Sequence, residues 1–145
     1  MSKKYKGYRA GIIPYFVDED STILYMFMKP SDPEYGGSDW QIAKGRFDDG
    51  EDDSLVVALR EGREELGLLD ENIADDEVDV VGEFRKMFVY TCRVLDMDNF
   101  GPFHYETGDV CWLTNDEYQA FGRDIHKDIV QVTHELVTQS LSDRS

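Results

Sequence analysis

Apolar and polar positions along this chain keep two different periods, and the places where the period changes mark its elements. Residues 8–17 and 22–29 are dense in apolar, β-branched and aromatic side chains, and the polar run Asp18-Glu19-Asp20-Ser21 divides them. That pattern predicts a β-hairpin. Residues 30–38, with two prolines and a glycine pair, read as a loop, and residues 39–44 as a short strand. From 54 to 66 the period lengthens. No proline interrupts, and Leu55, Leu59, Gly62 and Leu66 recur at offsets of 4, 3 and 4, which at about 100° per residue makes one helical stripe. Asp52, Asp53 and Ser54 suit the N-terminus of that helix, and Gly67 supplies a left-handed stop. Residues 69–76 read as a connector. Residues 78–85 and 87–95 read as strands broken near Arg85-Lys86, residues 96–107 as a loop, and residues 109–113 as a further strand. Thr114-Asn115-Asp116-Glu117 has the form of a capping box. A helix is expected after the box, and a second one over 125–141. The order β-rich, helix, β-rich, helix suits an α/β fold, an α/β/α sandwich around a mixed β-sheet.

The helix over 54–66 carries an oddity. Glu61, Glu64 and Glu65 fall together on a face away from the leucine stripe, and like charges at such spacings repel by a few tenths of a kcal/mol per pair, ~0.2–0.5. A solvated acidic face is one reading. The other is a site for a hard divalent cation, which takes oxygen ligands. The helix alone does not choose between them.

Composition narrows the field. At 145 residues the chain is expected to be one domain over 1–145, and 41% hydrophobic with 12% aromatic residues is enough for a core. The net charge of −16 disfavours a surface that tracks duplex or long single strands. A small phosphorylated substrate remains compatible, because bound metal ions invert the local field. Cys92 and Cys111 fit buried reduced thiols. No apolar run has the length of a membrane span, and the first residues lack the apolar core of a signal peptide. A cytoplasmic protein is expected, as monomer or homodimer and with no membrane partner. No nucleophilic serine or cysteine is framed by a base. Asp48-Asp49-Gly50-Glu51 fails as an EF-hand loop, because Gly45 and Phe47 stand where acids or amides are required.

The flanks of the helix give the acidic face its meaning. Gly45, five residues, Glu51, and then Arg60-Glu61-Gly62-Arg63-Glu64-Glu65-Leu66-Gly67-Leu68 closely resemble the Nudix box. That box is the signature of enzymes that hydrolyse nucleoside diphosphates linked to another moiety. Two departures stand out. Eight residues rather than seven separate Glu51 from Arg60, so either Glu51 or Asp52 takes the place of the family's loop glutamate. Gly62 replaces an aliphatic residue, at up to about 1 kcal/mol of helix propensity.

The resemblance implies the Nudix α/β/α sandwich, a Mg²⁺ or Mn²⁺ cofactor and a set of roles. Glu64 and Glu65 match the metal-binding pair, Glu61 a further ligand or water-orienting carboxylate, and Gly45 a backbone carbonyl ligand. Arg60 matches the residue that holds the loop through Glu51, and Gly67 closes the motif. Many Nudix enzymes add a carboxylate from a later loop as base or metal ligand. Here Glu106 is the candidate, six positions before Trp112 as in diadenosine tetraphosphate hydrolases, with Glu83 its rival. His104 has nothing nearby in sequence to orient it as a base.

Substrate choice rests on weaker signals. Trp40-Gln41-Ile42-Ala43-Lys44-Gly45 is similar to strings in two subfamilies. Lys44 fits the lysine of dinucleoside polyphosphate hydrolases, and Trp40-Gln41 fits bacterial RNA pyrophosphohydrolases, while Ala43 departs from the proline of both. Lys44 and Arg46 flank the metal loop and suit phosphates beyond the metals. Tyr90 and Tyr105 are candidate adenine-stacking surfaces. The expected activity is metal-dependent pyrophosphohydrolysis of a small nucleotide, first of all a dinucleoside polyphosphate such as diadenosine tetraphosphate. The alternatives are an RNA 5′ end, ADP-ribose or a nucleotide sugar, and, in another class, a non-hydrolytic nucleotide binder or sensor. Retention of Glu61, Glu64 and Glu65 together favours the enzyme.

Overall fold

A computed structural model describes residues 5–144, and its centre is strand β1 (Arg9–Val17). Strand β2 (Ile23–Pro30) pairs with it antiparallel from Tyr15↔Tyr25 to Val17↔Ile23. Asp18 closes the turn between them, its carboxylate accepting from the Asp20 and Thr22 amides at 2.9 Å each. Strand β3 (Ala43–Arg46) pairs antiparallel with the other half of β1, Arg9 opposite Arg46 and Ile12 opposite Ala43. Strands β4 (Ile73–Phe84), β5 (Met87–Val94) and β6 (Thr107–Leu113) complete a sheet of order β4-β5-β1-β2-β6, with β3 on β1. Among the described strand pairs only β1–β5 is parallel, so the sheet is mixed.

Alternation along the central strands sends side chains to two separate cores. Ala10, Ile12, Met26, Met28, Cys92 and Val94 face helix α1 (Ser54–Leu66). Ile13, Tyr15, Tyr25, Phe27 and Val89 face helices α2 (Asn115–Phe121) and α3 (Lys127–Asp143). Phe27 stacks on Tyr118 of α2 with centroids 4.2 Å apart. Helices on both faces of one mixed sheet make the α/β/α sandwich that the order of elements suggests. Cys92 belongs to one core and Cys111 packs against the other, so the two free thiols are separated by the sheet, and burial pushes each up to about 12. No helix among the described residues is long and apolar enough to cross a membrane.

Four differences from the sequence reading stand out. Trp40 and Gln41 make only isolated bridges, to Gly122 and Met28, and the strand proper is β3, extending through Gly45 and Arg46. β4 begins at Ile73 inside the expected connector; register breaks at Ile73/Val78 and Val80/Gly82 on this edge strand blur the alternation. A 3-10 turn, Asp124–His126, precedes α3, which then runs on to Asp143.

The fourth difference bears on the site. The buried face of α1 is Val57, Ala58, Glu61, Gly62 and Leu66, so the stripe is turned away from Leu55 and Leu59, which are only half-buried. Gly62 explains the rotation. A Cβ there would lie 2.9 Å from Ile12 Cγ2 and 3.1 Å from Leu68 Cδ2, so the glycine lets the helix settle against β1 and carries Glu61 inward with it.

Between β4 and β5 a two-residue turn holds Arg85 at φ 50° and Lys86 at φ 65°. Left-handed backbone at non-glycine residues costs roughly 1–2 kcal/mol each.

Candidate active site

Helix α1 starts because Asp53 caps it, the side chain accepting from the Leu55 amide at 2.9 Å, and it stops at Gly67 with φ 74°. Ahead of the cap, Glu51 is fixed by the turn at 48–51, where its amide donates to the Asp48 carbonyl at 3.0 Å and its carboxylate accepts from the Asp48 amide at 2.6 Å. From the first turns of the helix, Arg60 reaches back and donates to both oxygens of Glu51, at 3.1 and 2.8 Å. The same guanidinium donates to the Arg46 carbonyl at 2.9 Å and to Glu61 at 2.9 Å, and lies 3.5 Å from Glu64 and 3.6 Å from Asp48. The extra residue is therefore absorbed in the loop outside the helix. Glu51 takes the ion pair, and Asp52 is exposed. Arg60 holds the Glu51 carboxyl below its ordinary range, and Glu51 in turn raises Arg60.

The three helix glutamates meet different surroundings. Glu61 is 8% exposed, and burial raises its pKa against the opposing Arg60 charge. Its carboxylate lies against β3 so closely that a Cβ on Gly45 would stand 2.1 Å from Oε1. Gly45 is needed for room, since its φ is not left-handed. Glu65 Oε1 accepts from the Lys44 amide at 2.8 Å. Burial raises Glu65 and lowers Lys44; the attraction between them opposes both shifts, and burial is the larger effect. Glu64 is the exposed member, its side chain at 47%.

Among the described residues no three His, Cys, Asp or Glu side chains are already gathered to hold a metal ion. Glu61 and Glu64 turn to Arg60 instead, and Glu65 turns to the β3 backbone. The donor chemistry nevertheless fits a hard divalent cation. All the donors are oxygens, two of the carboxylates are raised by burial and by a neighbouring glutamate, and a glycine leaves the backbone open beside Glu61.

Beside this cluster opens a cavity of about 620 Å³, lined by the acids Glu65 and Glu106 and by the cations Arg9, Lys44, Arg46 and Arg123. Gln41, 2% exposed, organises the basic side. Its Oε1 accepts from Lys44 Nζ at 3.0 Å and from Arg123 Nη1 at 3.2 Å, and its Nε2 donates to the Gly36 carbonyl at 2.9 Å. Sequence reasoning missed Arg9 and Arg123, and it noted Gln41 only as part of a string. Arg123 follows a helix end with no motif around it, and Arg9 gains meaning only once β3 sets Arg46 opposite it.

Glu106 reaches the cavity because its loop is laced to the end of α1. The His104 amide donates to the Glu64 carbonyl at 2.6 Å, the Gly101 amide to the Gly67 carbonyl at 2.8 Å, and the Thr107 hydroxyl to the Glu65 carbonyl at 2.9 Å. Glu106 itself is 70% exposed in its side chain and 3.4 Å from His104 Nδ1, so His104 does have a carboxylate neighbour. Glu83 is exposed on β4 and does not line the cavity. Tyr105 is 80% exposed with its ring 4.1 Å from that of His104, next in sequence to Glu106 but not in the cavity wall. Tyr90 is not brought to the cavity at all. Alternation along β5 turns it toward α1, where its hydroxyl is 2.6 Å from Ser54 Oγ.

Residues 7–133 match the family model described as NUDIX domain. Similar solved structures include the Ap4A hydrolase of C. elegans in a binary complex, at 18% identity over 90% of this chain and 98% of that one, with a TM-score of 0.71. A mutT/nudix family protein from Listeria innocua is 19% identical over 94% of this chain and 96% of that one, with a TM-score of 0.70. The NUDIX domain of Shewanella oneidensis NrtR, complexed with ADP ribose, is 9% identical over 89% and 86%, with a TM-score of 0.65. Likenesses at these identities speak for the fold. No curated protein matches the chain.

Proposed function

The chain belongs to the Nudix family and is a Nudix hydrolase, and from that premise we propose that it cleaves a phosphoanhydride bond of a dinucleoside polyphosphate such as diadenosine tetraphosphate. One observation carries this reading. Glu65, one of the three clustered helix glutamates, lines a cavity together with Glu106 and four cations, Arg9, Lys44, Arg46 and Arg123, in a protein of net charge −16. Anhydride hydrolysis requires charge neutralisation on the phosphates, a fixed orientation and an activated water. Nudix hydrolases need divalent metal ions, and Mg²⁺ or Mn²⁺ held by Glu61, Glu64, Glu65 and the Gly45 carbonyl would supply Lewis acidity and neutralise phosphate charge here.

The chain's own residues do the rest. Lys44, Arg46, Arg9 and Arg123 bind the phosphate oxygens, with Gln41 holding two of these cations in place. Arg60 fixes the loop and Glu61 through hydrogen bonds at both ends of its guanidinium. Glu106 takes the proton of the attacking water. Water adds across one P–O–P link, so one P–O bond forms, one breaks, and two phosphate-ended products leave. Tyr105 offers its exposed ring to a base. ADP-ribose, the compound bound by the NrtR domain, is the alternative substrate class. The acidic net charge weighs against long RNA.

The test is a panel of diadenosine polyphosphates, ADP-ribose, nucleotide sugars and 5′-triphosphate RNA, assayed with Mg²⁺ and with Mn²⁺ and resolved chromatographically. The diadenosine compounds are expected to give the highest kcat/KM. A clear preference for ADP-ribose or RNA would replace this substrate reading, and cleavage of none would remove it.

A further inference from the structure

The loop that joins β3 to α1, residues 47–53, is neither helix nor strand, and five of its residues are acids: Asp48, Asp49, Glu51, Asp52 and Asp53. Arg60 holds this loop from the helix side, through Glu51 and the Arg46 carbonyl. Phe47 holds it from another. It is the one large apolar side chain between Ala43 and Leu55, and alternation along β3 turns it to the α1 face, two positions beyond Gly45. Phe88, Ala10 and Gly45 form one row across β5, β1 and β3. The small members of that row leave room for the Glu61 carboxylate against Gly45, and Phe88 begins an aromatic cluster.

Ahead of β1 the chain doubles back over this row. The Tyr8 amide donates to the Tyr5 carbonyl at 2.9 Å, and Gly7 supplies the left-handed residue of the turn at φ 83°. The turn stacks Tyr5 on Phe47, with centroids 4.8 Å apart and planes at 29°. It also sets the Tyr5 ring T-shaped to Phe88 at 5.6 Å and to Tyr8 at 5.7 Å. Tyr8 in turn stacks on Phe88 at 5.5 Å, and Phe47 lies 6.3 Å from Phe88. Tyr5 is therefore the ring that Tyr8, Phe47 and Phe88 all meet, in geometries that aromatic pairs favour. Phe47 stands between the Arg46 carbonyl, which Arg60 binds, and the Asp48 amide, which Glu51 binds. A shift of its ring moves both of those anchors and the Gly45 carbonyl behind them.

We infer that Tyr5 is a positioning residue for the metal site: through its stack on Phe47 it holds the β3–α1 loop so that the Gly45 carbonyl stays beside Glu61. The inference rests on the reading of Gly45, Glu61, Glu64 and Glu65 as the place of the divalent cation. Repulsion among the five loop carboxylates favours an open loop. Arg60 opposes that repulsion from the helix side, by an ion pair that salt weakens. The ring stack is uncharged, so it braces the loop at any ionic strength and with or without a bound cation. A site formed in advance binds its ion more tightly than one the ion must assemble. Loss of the Tyr5 ring should therefore appear as lost metal affinity, not as a lost fold.

Tyr5→Ala removes the stack and Tyr5→Phe keeps it. Calorimetric titration of the full chain with Mn²⁺ should give a Kd raised roughly tenfold in Tyr5→Ala and held in Tyr5→Phe. Phe47→Leu should match Tyr5→Ala, and the double variant should add little, since each change removes the same contact. Val137→Ala, in the core on the other face of the sheet, is the control for stability. It should lower the thermal midpoint and leave Mn²⁺ affinity alone. Equal affinity in Tyr5→Ala and the parent, or a loss in Val137→Ala as large as in Tyr5→Ala, would overturn the proposal. Hydrogen exchange without metal reads the loop itself. The Asp48 and Glu51 amides should exchange about tenfold faster in Tyr5→Ala, and unchanged exchange there also sinks the proposal. Glu65→Gln separates this inference from the reading beneath it. If Glu65→Gln binds Mn²⁺ as the parent does, the ion sits elsewhere and both fail. If Glu65→Gln loses affinity while Tyr5→Ala keeps it, the metal site stands and the role of Tyr5 falls.

Discussion

The two sides of the large cavity are built by opposite means. The acidic side comes from the loop and helix that carry Glu51 to Glu65 and from the loop of Glu106, which the Thr107 hydroxyl ties to the Glu65 carbonyl across 42 positions. Its organiser is a cation, Arg60, shared among carboxylates. The basic side draws on β1, β3 and the segment after α2, and its organiser is a neutral amide, Gln41, whose bond to Arg123 spans 82 positions. Arg60 thus gives Glu51, Glu61 and Glu64 a common partner, and Gln41 does the same for Lys44 and Arg123. The acids have a partner of opposite charge, which a bound cation can supplement. Lys44 and Arg123 share an uncharged acceptor, and the attraction of Lys44 to Glu65 and Glu61 is outweighed by its burial, so their charge stays available to a ligand. In the function proposed above, the carboxylates supply the chemistry and the cations the recognition.

That contrast is most sharply broken at Glu65. Glu65→Gln keeps an acceptor for the Lys44 amide but removes the charge, so kcat should fall by orders of magnitude while far-UV circular dichroism and the thermal midpoint stay close to the parent. Activity within a few-fold of the parent would refute the assignment of chemistry to this side. Glu106→Gln comes next. As a general base it should cost about 10²–10⁴-fold in kcat with little change in KM. Glu83→Gln, exposed on β4, should leave both constants alone, and a steep loss there instead would move the role to Glu83.

On the basic side the expected effect is smaller and of another kind. Gln41→Ala frees Lys44 and Arg123 from their common acceptor, so KM should rise roughly tenfold with kcat nearly constant, because ground-state and transition-state phosphate contacts weaken alike. A fall in kcat without a change in KM would blur the division between the two sides. The smallest effect separates Glu51 from Asp52. Glu51→Gln weakens a bidentate pair and should lower stability by about 1 kcal/mol in chemical denaturation, given that the pair is partly exposed. Asp52→Asn should stay within about 0.5 kcal/mol of the parent. The reverse order would mean that the loop register is not the one described.

Much of this was written locally. The bounds of α1, its cap at Asp53, its stop at Gly67, the hairpin of β1 and β2, the break at Arg85-Lys86 and the capping box at Thr114 all rest on contacts between residues close in sequence. Periodicity and capping chemistry are sufficient to read such contacts, and the spacing of Gly45, Glu51, Arg60 and the glutamates carried the family with it. The burial of Glu61 was not readable, because a leucine stripe suggested one face while Gly62 allowed another to press against Ile12. That Glu106 lines the cavity and Glu83 does not was likewise a tertiary outcome, set by bonds from the Glu106 loop to the end of α1.

By itself, then, the sequence determined the layered fold, the helix that bears the carboxylates and the kind of chemistry they suit, since these depend on spacings within single elements. Only the tertiary structure decided that Arg9, Lys44, Arg46 and Arg123 share one cavity. Isolated cations on separate strands and turns carry no periodic signal. Their meaning arises when long chain closures bring like charges together against their mutual repulsion.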